Sequence, residues 1–196
     1  MFIVVFKCIY LIPFKLHKTE VNESEVGNEL DREFNDRDRL EAIVSDLTYV
    51  RVRVGNRWHY ICTIMDLYNR EIIGYSAGPH KNAQLVYKAF SSIKHDLNLV
   101  GLFHTDRGKE FINEQIEALL STFYIKRSLS HKGNPYDNAV AEANFKCLKF
   151  EFVYQNKFET LEQLQRELGG HIWWYNNERL HSSLGYKSPV SYAQSK

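Results

Sequence analysis

The chain has 196 residues, of which 44% are apolar and 25% charged, the profile of an ordinary globular protein and a length that fits one domain with a tail. Its 25 Lys and Arg against 24 Asp and Glu leave a formal net charge of +1, so no global cationic field argues for a polyanion partner. The balance hides an asymmetry compatible with such a partner: residues 19–46 carry ten acids and three bases, a net of −7, and the remainder nets +8.

Met1 to Phe14 is largely apolar around Lys7. The run is too short to span a bilayer, and it lacks the basic start and cleavage site of a signal peptide. No membrane association is expected; a truncated or fortuitously translated start and a short buried strand are the two readings. Cys8, Cys62 and Cys147 are scattered, without C-x-x-C or zinc spacing, which argues against a disulfide scaffold or zinc finger and for a cytoplasmic home. Residues 19–41 are charged and broken by Gly27, a linker or surface helix.

From Val44 the pattern changes. Val50, Val52 and Val54 alternate with Arg51 and Arg53, which is strand period, and Gly55-Asn56 is a two-residue hairpin turn. Trp58 to Met65 is a second strand and Glu71 to Ala77 a third, giving an antiparallel meander. Asn82 caps a helix with Val86, Phe90, Ile93 and Leu97 on one face. A strand follows from Leu99 to His104, a helix from Phe111 to Thr122, and a fifth strand from Tyr124 to Leu129. Ser130 to Asn138 is a loop, expected to be mobile. A helix capped by Asp137 or Asn138 runs to about Tyr154, and another runs from Thr160 to about Asn176. The expected fold is α/β: a mixed five-stranded sheet with helices on both faces.

Three acids are placed for chemistry. Asp46 opens the first strand and Asp106 closes the fourth, so the two carboxylates converge if those strands are parallel neighbours. Glu142 shares a helical stripe with Lys146 and Lys149. An all-oxygen ligand set suits Mg²⁺ or Mn²⁺, and two such ions stabilise the attacking and leaving oxygens of a phosphoryl displacement. Taken singly, each acid is as well read as a turn former or a solvated pair.

Asp46-Leu47-Thr48-Tyr49-Val50, His104-Thr105-Asp106-Arg107-Gly108 and Tyr136-Asp137-Asn138-Ala139-Val140-Ala141-Glu142 together resemble the catalytic core of bacterial insertion-sequence transposases. The resemblance is to the insertion-sequence-three family, second reading frame, in the retroviral-integrase superfamily. Thirty-five residues separate Asp106 from Glu142, the spacing for which that family's acidic triad is named. The segment Trp174 to Pro189, with Arg179-Leu180-His181 and Gly185-Tyr186-Lys187-Ser188-Pro189, is similar to the family's closing segment. The resemblance covers about residues 43–192. It implies a ribonuclease H-like fold and a DDE-type polynucleotidyl transferase, with Asp46, Asp106 and Glu142 as catalytic residues and metal ligands for Mg²⁺ or Mn²⁺. Cleavage by water and strand transfer by the freed 3′-OH would need no covalent enzyme intermediate. The implied partners are transposon-end and target DNA, further copies of the chain on DNA, and an upstream-frame DNA-binding protein; the implied location is the nucleoid. Ile43 stands where the family usually has Trp, and the helix-turn-helix part normally ahead of the core is missing, so an isolated or truncated catalytic frame is expected. Residues 1–42 form a leader, 43–156 the core, and 157–196 a helix and tail completing it. The competing readings are a DNA-binding remnant that acts as a brake and a ribonuclease H-type nuclease.

Arg107, Lys109, Lys126, Arg127, Lys132, Asn138, Lys146 and Lys149 surround the expected site and are the candidate DNA contacts, with His131 beside them. Asn134 and Tyr136 are read as loop-shaping residues and Asp66 as a turn former. Glu110 is at most a supporting neighbour of the triad. Trp173 and Trp174 are read as packing residues rather than base-stacking ones.

Overall fold

The computed structural model describes residues 26–196; the apolar start, Cys8 and the first residues of the acidic run, 19–25, lie outside the described residues. Five strands, β1 (Ala42–Val52), β2 (Arg57–Asp66), β3 (Ile72–Gly78), β4 (Leu102–Thr105) and β5 (Lys126–Leu129), form one sheet in the order β3-β2-β1-β4-β5. The first three are antiparallel, and β4 and β5 join parallel to β1. The mixed sheet and the neighbouring first and fourth strands are as expected. The hairpin turns where Gly55-Asn56 stands, both with positive φ (75° and 47°), which glycine and asparagine tolerate.

Helices α1 (Ala83–Ser91) and α2 (Glu114–Thr122) cover one face; α3 (Ala139–Leu148) and α4 (Leu161–Asn177) cover the other. Strand alternation sorts the core. Ala42, Val44, Val50 and Val52 pack with Ala141, Phe145 and Leu148 of α3 and Leu164, Leu168 and Ile172 of α4. Ile43, Cys62 and Ile64 face Val86, Phe90, Ile116 and Leu120 on the other side. Each such fully buried aliphatic contributes about 1.5–3 kcal/mol through removal from water. Asn82, Asn113 and Thr160 cap α1, α2 and α4 by accepting from the backbone N–H three residues on.

Several boundaries differ from expectation. β1 begins at Ala42, because Ala42, Ile43 and Val44 pair with Leu102, Phe103 and His104; Asp46 therefore sits inside the strand rather than at its start. The first helix stops at Ser91, and Leu97 falls in a separate 3₁₀ turn. The helix expected to reach Tyr154 is regular only to Leu148 and continues as a π turn over Lys149–Val153, where Arg179 grips Glu151 with Nε and Nη2 at 2.8 Å. A short helix α5 (Pro189–Gln194), capped by Ser188, was not expected. The described part of the acidic segment is neither helix nor free linker: Leu30 is fully buried, its N–H donates to Ser128 Oγ at 3.1 Å, and Leu129 N donates to the Gly27 carbonyl. Among the described residues, no helix is long and apolar enough to cross a membrane.

Candidate active site

Val44 on β1 is the register partner of His104 on β4 in a parallel pair. Two residues further along each strand direction stand Asp46 and Asp106. In parallel strands about 4.8 Å apart, equal steps keep side chains on the same face, so the two carboxylates rise side by side on the face that α3 covers. Asp46 pairs with Thr63 on β2, and Thr63 Oγ1 accepts from Asn144 Nδ2 of α3 at 3.3 Å. Glu142, two residues earlier in the helix, lies near enough for its charge to reach Asp46.

The carboxylates are held from behind. Asp46 Oδ1 accepts from Leu47 N at 2.7 Å, and Asp106 Oδ1 accepts from Gly108 N at 3.0 Å in an Asx turn. Burial, then the charge of Asp106 and more weakly that of Glu142, push the Asp46 carboxyl up to about 7; the Leu47 N–H and Lys81 oppose the rise. A carboxyl perturbed by burial and by like charges is typical of a functional cleft.

Lys81, in the loop before α1, had no signal in the sequence. Its Nζ lies 2.8 Å from Glu110 Oε1, and the charges of Glu110, Asp106 and Asp46 favour its protonated form against the cost of burial. Glu110 is 5% exposed and lies across Gly108, whose missing Cβ would fall 2.5 Å from Oε1. The sequence flagged Glu110 as a neighbour of the triad but not its cationic partner.

The donor set fits a hard divalent cation. Asp46 and Asp106 offer adjacent oxygens, and Asn138 Oδ1 and Asn144 Oδ1, flanking Glu142 on its helix, are buried without a hydrogen-bond partner. Such orphaned oxygens call for a donor or a hydrated ion. As the side chains stand, no three His, Cys, Asp or Glu groups among the described residues are drawn together closely enough to hold one ion.

The basic candidates divide. Lys146 is exposed, and Lys149 is half-buried with Nζ 5.4 Å from the Tyr49 ring centroid; both share the Glu142 stripe. Lys109, Lys126 and Lys132 are exposed. Arg107 turns inward instead, donating from Nε to the Ser130 carbonyl and from Nη2 to the Val26 carbonyl, each at 2.9 Å. Arg127 is 6% exposed and spends its guanidinium on Glu117 and on the Phe111 carbonyl. These two arginines stitch the β4 and β5 ends to the loops around them. Asn138 is buried rather than displayed.

The Ser130–Asn138 loop carries its own tie. Asp137, 1% exposed, accepts from Arg32 Nε at 2.7 Å and from His131 N and Nδ1 at 2.9 and 2.7 Å. Burial works against its ionisation, but Arg32 and His131 outweigh that and hold the carboxyl well below the usual carboxylate range. Of the two residues read as the helix cap, Asn138 takes the N-cap position of α3, without a side-chain cap bond, and Asp137 is a latch. Beneath it His104 is fully buried between Ser128 Oγ (2.8 Å) and Ser130 Oγ (3.1 Å), and burial lowers its pKa to about 4. Asp66, read as a turn former, accepts from the Leu40 and Tyr68 N–H groups. Trp173 and Trp174 are 60% and 40% exposed, more open than packing residues would be.

With this geometry in view, the chain's likeness to known proteins is specific. A family model described as integrase core domain matches residues 37–135, and a second model of the same description matches 142–196. The transposase for insertion sequence element IS904 of Lactococcus lactis subsp. lactis is 33% identical over 152 residues, covering 76% of this chain and 59% of that protein. Transposase InsF for insertion sequence IS3A of Escherichia coli is 31% identical over 186 residues, covering 92% of this chain and 62% of that protein. This chain thus spans about three fifths of these relatives. Among solved structures, the simian T-cell lymphotropic virus intasome superposes with a TM-score of 0.68 at 12% identity, over 92% of this chain and 61% of that one. The catalytic core domain of BIV integrase gives 0.59 at 20% identity, over 79% and 95%. The HTLV-2 integrase catalytic core, in a complex with magnesium, gives 0.59 at 14% identity, over 77% and 94%. At these identities the structures show a shared fold, the ribonuclease H-like one.

Proposed function

The chain belongs to the integrase core domain family, and from that premise we propose that it is the catalytic core of an insertion-sequence transposase, cutting and joining DNA strands at transposon ends. On this reading residues 43–156 form the core, 157–196 complete it, and 1–42 lead into it. The observation that carries the proposal is the parallel β1–β4 register, with Asp46 and Asp106 two residues beyond Val44 and His104.

Asp46, Asp106 and Glu142 are the proposed catalytic and metal-holding residues. Mg²⁺ or Mn²⁺ bound there, two ions on this reading, would stabilise charge on the attacking and leaving oxygens of an in-line displacement at phosphorus. The protein's share is positional. The Leu47 and Gly108 N–H groups fix one oxygen of each aspartate. Lys81, paired with Glu110, also moderates the repulsion between Asp46 and Asp106. Lys146 and Lys149, on the Glu142 stripe, meet phosphates on either side of the reacting one. Lys109, Lys126 and Lys132 extend that basic border. The magnesium complex and the trimeric form described for the HTLV-2 core support a divalent ion and self-association, and the intasome supports assembly on DNA. A DNA-binding partner encoded upstream and a nucleoid location follow from the transposase reading alone.

The test is strand joining on a pre-cut DNA end in Mg²⁺ or Mn²⁺, with filter binding in parallel. Asp106→Asn keeps the size of the side chain and removes the charge that holds the ion. Joining is expected to vanish while DNA binding survives or tightens. Full joining by Asp106→Asn refutes the assignment.

A further inference from the structure

Beyond the carboxylates, between the far end of the β1–β2 hairpin and the π turn after α3, lies a groove of about 370 Å³. Three of its four aromatic residues are open, Tyr49 at 45% exposed, Trp58 at 47% and Tyr154 at 70%, and the fourth, Phe158, is buried beneath them. Tyr49 and Trp58 meet edge to face with centroids 5.1 Å apart. The Arg51 guanidinium lies 5.6 Å from the Trp58 ring centre and Lys149 Nζ 5.4 Å from that of Tyr49. Such cation–π contacts hold the rings upright at the surface. Arg53 and Lys157 also line the groove, and none of its described lining residues is acidic. Arg53 is paired with the Glu159 carboxylate at 2.9 Å; Arg51 donates from Nε only to the neutral Asn56 Oδ1, at 2.7 Å, so that Arg51, Lys149 and Lys157 carry the groove's positive charge.

Exposed aromatic faces interleaved with cations match an unpaired nucleic acid strand, whose bases present π-faces and whose backbone presents phosphates. A duplex hides its base faces in its own stack. An apolar protein partner would leave the cations uncompensated. The groove is also close to the proposed chemistry by two independent routes. Tyr49 stands three residues past Asp46 on β1, about 10 Å along a strand; the odd step turns its side chain to the other face of the sheet, and it meets Lys149 around the stretch of β1 that β4 leaves unpaired. Lys149 stands two turns past Glu142, about 10 Å along a helix.

We infer that this groove binds unpaired nucleotides of a DNA end beside the catalytic carboxylates, with bases stacked on Trp58 and Tyr154 and phosphates met by Arg51, Lys149 and Lys157. The inference rests on DNA being the substrate.

Fluorescence anisotropy in EDTA tests it, with a labelled blunt duplex and the same duplex carrying a short unpaired thymidine tail on either strand. The tailed duplex is expected to bind about tenfold more tightly, near the low end of what one or two stacked bases contribute. Trp58→Ala should erase most of that preference while leaving blunt-duplex affinity within about twofold, and Trp58→Phe should keep most of it. Tyr154→Ala, at a still more exposed position, should lower the preference without any burden on folding. A tail-blind wild type that still binds and joins blunt ends overturns this inference and spares the transposase reading; failure to bind any duplex overturns both. Equal weakening of both duplexes in Trp58→Ala, or a change in its sedimentation mass with the tail preference intact, also overturns it. The second result would make the groove an interface between copies of the chain.

Discussion

Gly108 offers a sharp test of how the second aspartate is held. A methyl group added there would lie 2.5 Å from Glu110 Oε1, 2.6 Å from Cδ and 2.8 Å from Oε2. The carboxylate must then retreat by nearly an ångström to reach ordinary contact. It is 5% exposed and tied to Lys81 Nζ at 2.8 Å, so retreat means breaking or stretching that pair. Overpacking of this kind costs about 1–3 kcal/mol. The ion pair adds little beyond that, because Lys81 is 36% exposed and recovers hydration. Gly108→Ala is therefore expected to destabilise the protein by about 2 kcal/mol. In a Glu110→Ala background the obstacle is gone. The backbone at Gly108 is outside the left-handed region, so the same alanine should there be neutral or stabilising by a few tenths of a kcal/mol up to about 1, through lost unfolded-state freedom. The four proteins form a double-mutant cycle read by urea unfolding with tryptophan fluorescence. A Gly108→Ala cost that is the same in both backgrounds would refute the argument.

Asp137→Ala removes three polar contacts that tie the Ser130–Asn138 loop to Arg32 and His131; a loss of about 2 kcal/mol is expected, with increased protease cleavage in that loop. Limited proteolysis that leaves it as resistant as wild type would argue against the latch. His181, 8% exposed and lowered to about 4 by burial and then by Arg179, is neutral in the folded protein and protonates more readily when unfolded. The unfolded chain thus takes up the extra proton between about pH 6.5 and 4, and stability falls as pH drops through that window, by at most ~3 kcal/mol from this group. Thermal midpoints of His181→Gln should fall less steeply with acid than those of wild type. Lys146→Ala with Lys149→Ala should weaken DNA binding and make its salt dependence shallower by about one to two units of slope if both meet phosphates; filter binding over a salt series measures this.

Much of the architecture was readable from short-range pattern. Valine alternation around Arg51 and Arg53, the Gly55-Asn56 turn and the Asn82 and Thr160 caps are local signals, and the hairpin, α1 and α4 formed where they pointed. The acids Asp46, Asp106 and Glu142 were visible as residues in linked motifs, and the first and fourth strands did come to lie side by side. Composition and spacing carried that information because strand and helix periods are set by neighbouring residues along the chain.

Partner choice among charged side chains was decided by the tertiary structure. Arg32 and Asp137 are 105 positions apart, and nothing local announces that they will pair. Lys81 reads as a loop lysine until β3 delivers it to Glu110. Arg107 and Arg127 looked like phosphate ligands beside an acidic site, yet the fold spends both on carbonyls and a glutamate. Asp46 moved from a strand end to a strand interior because β4 pairs with Ala42, Ile43 and Val44. A buried or half-buried charge must find its counter-charge or hydrogen-bond partner wherever the packed chain provides one. The chain's periodicity therefore determines which elements form and which faces they bury, and the packing of distant elements determines which ionic groups stay available for a ligand.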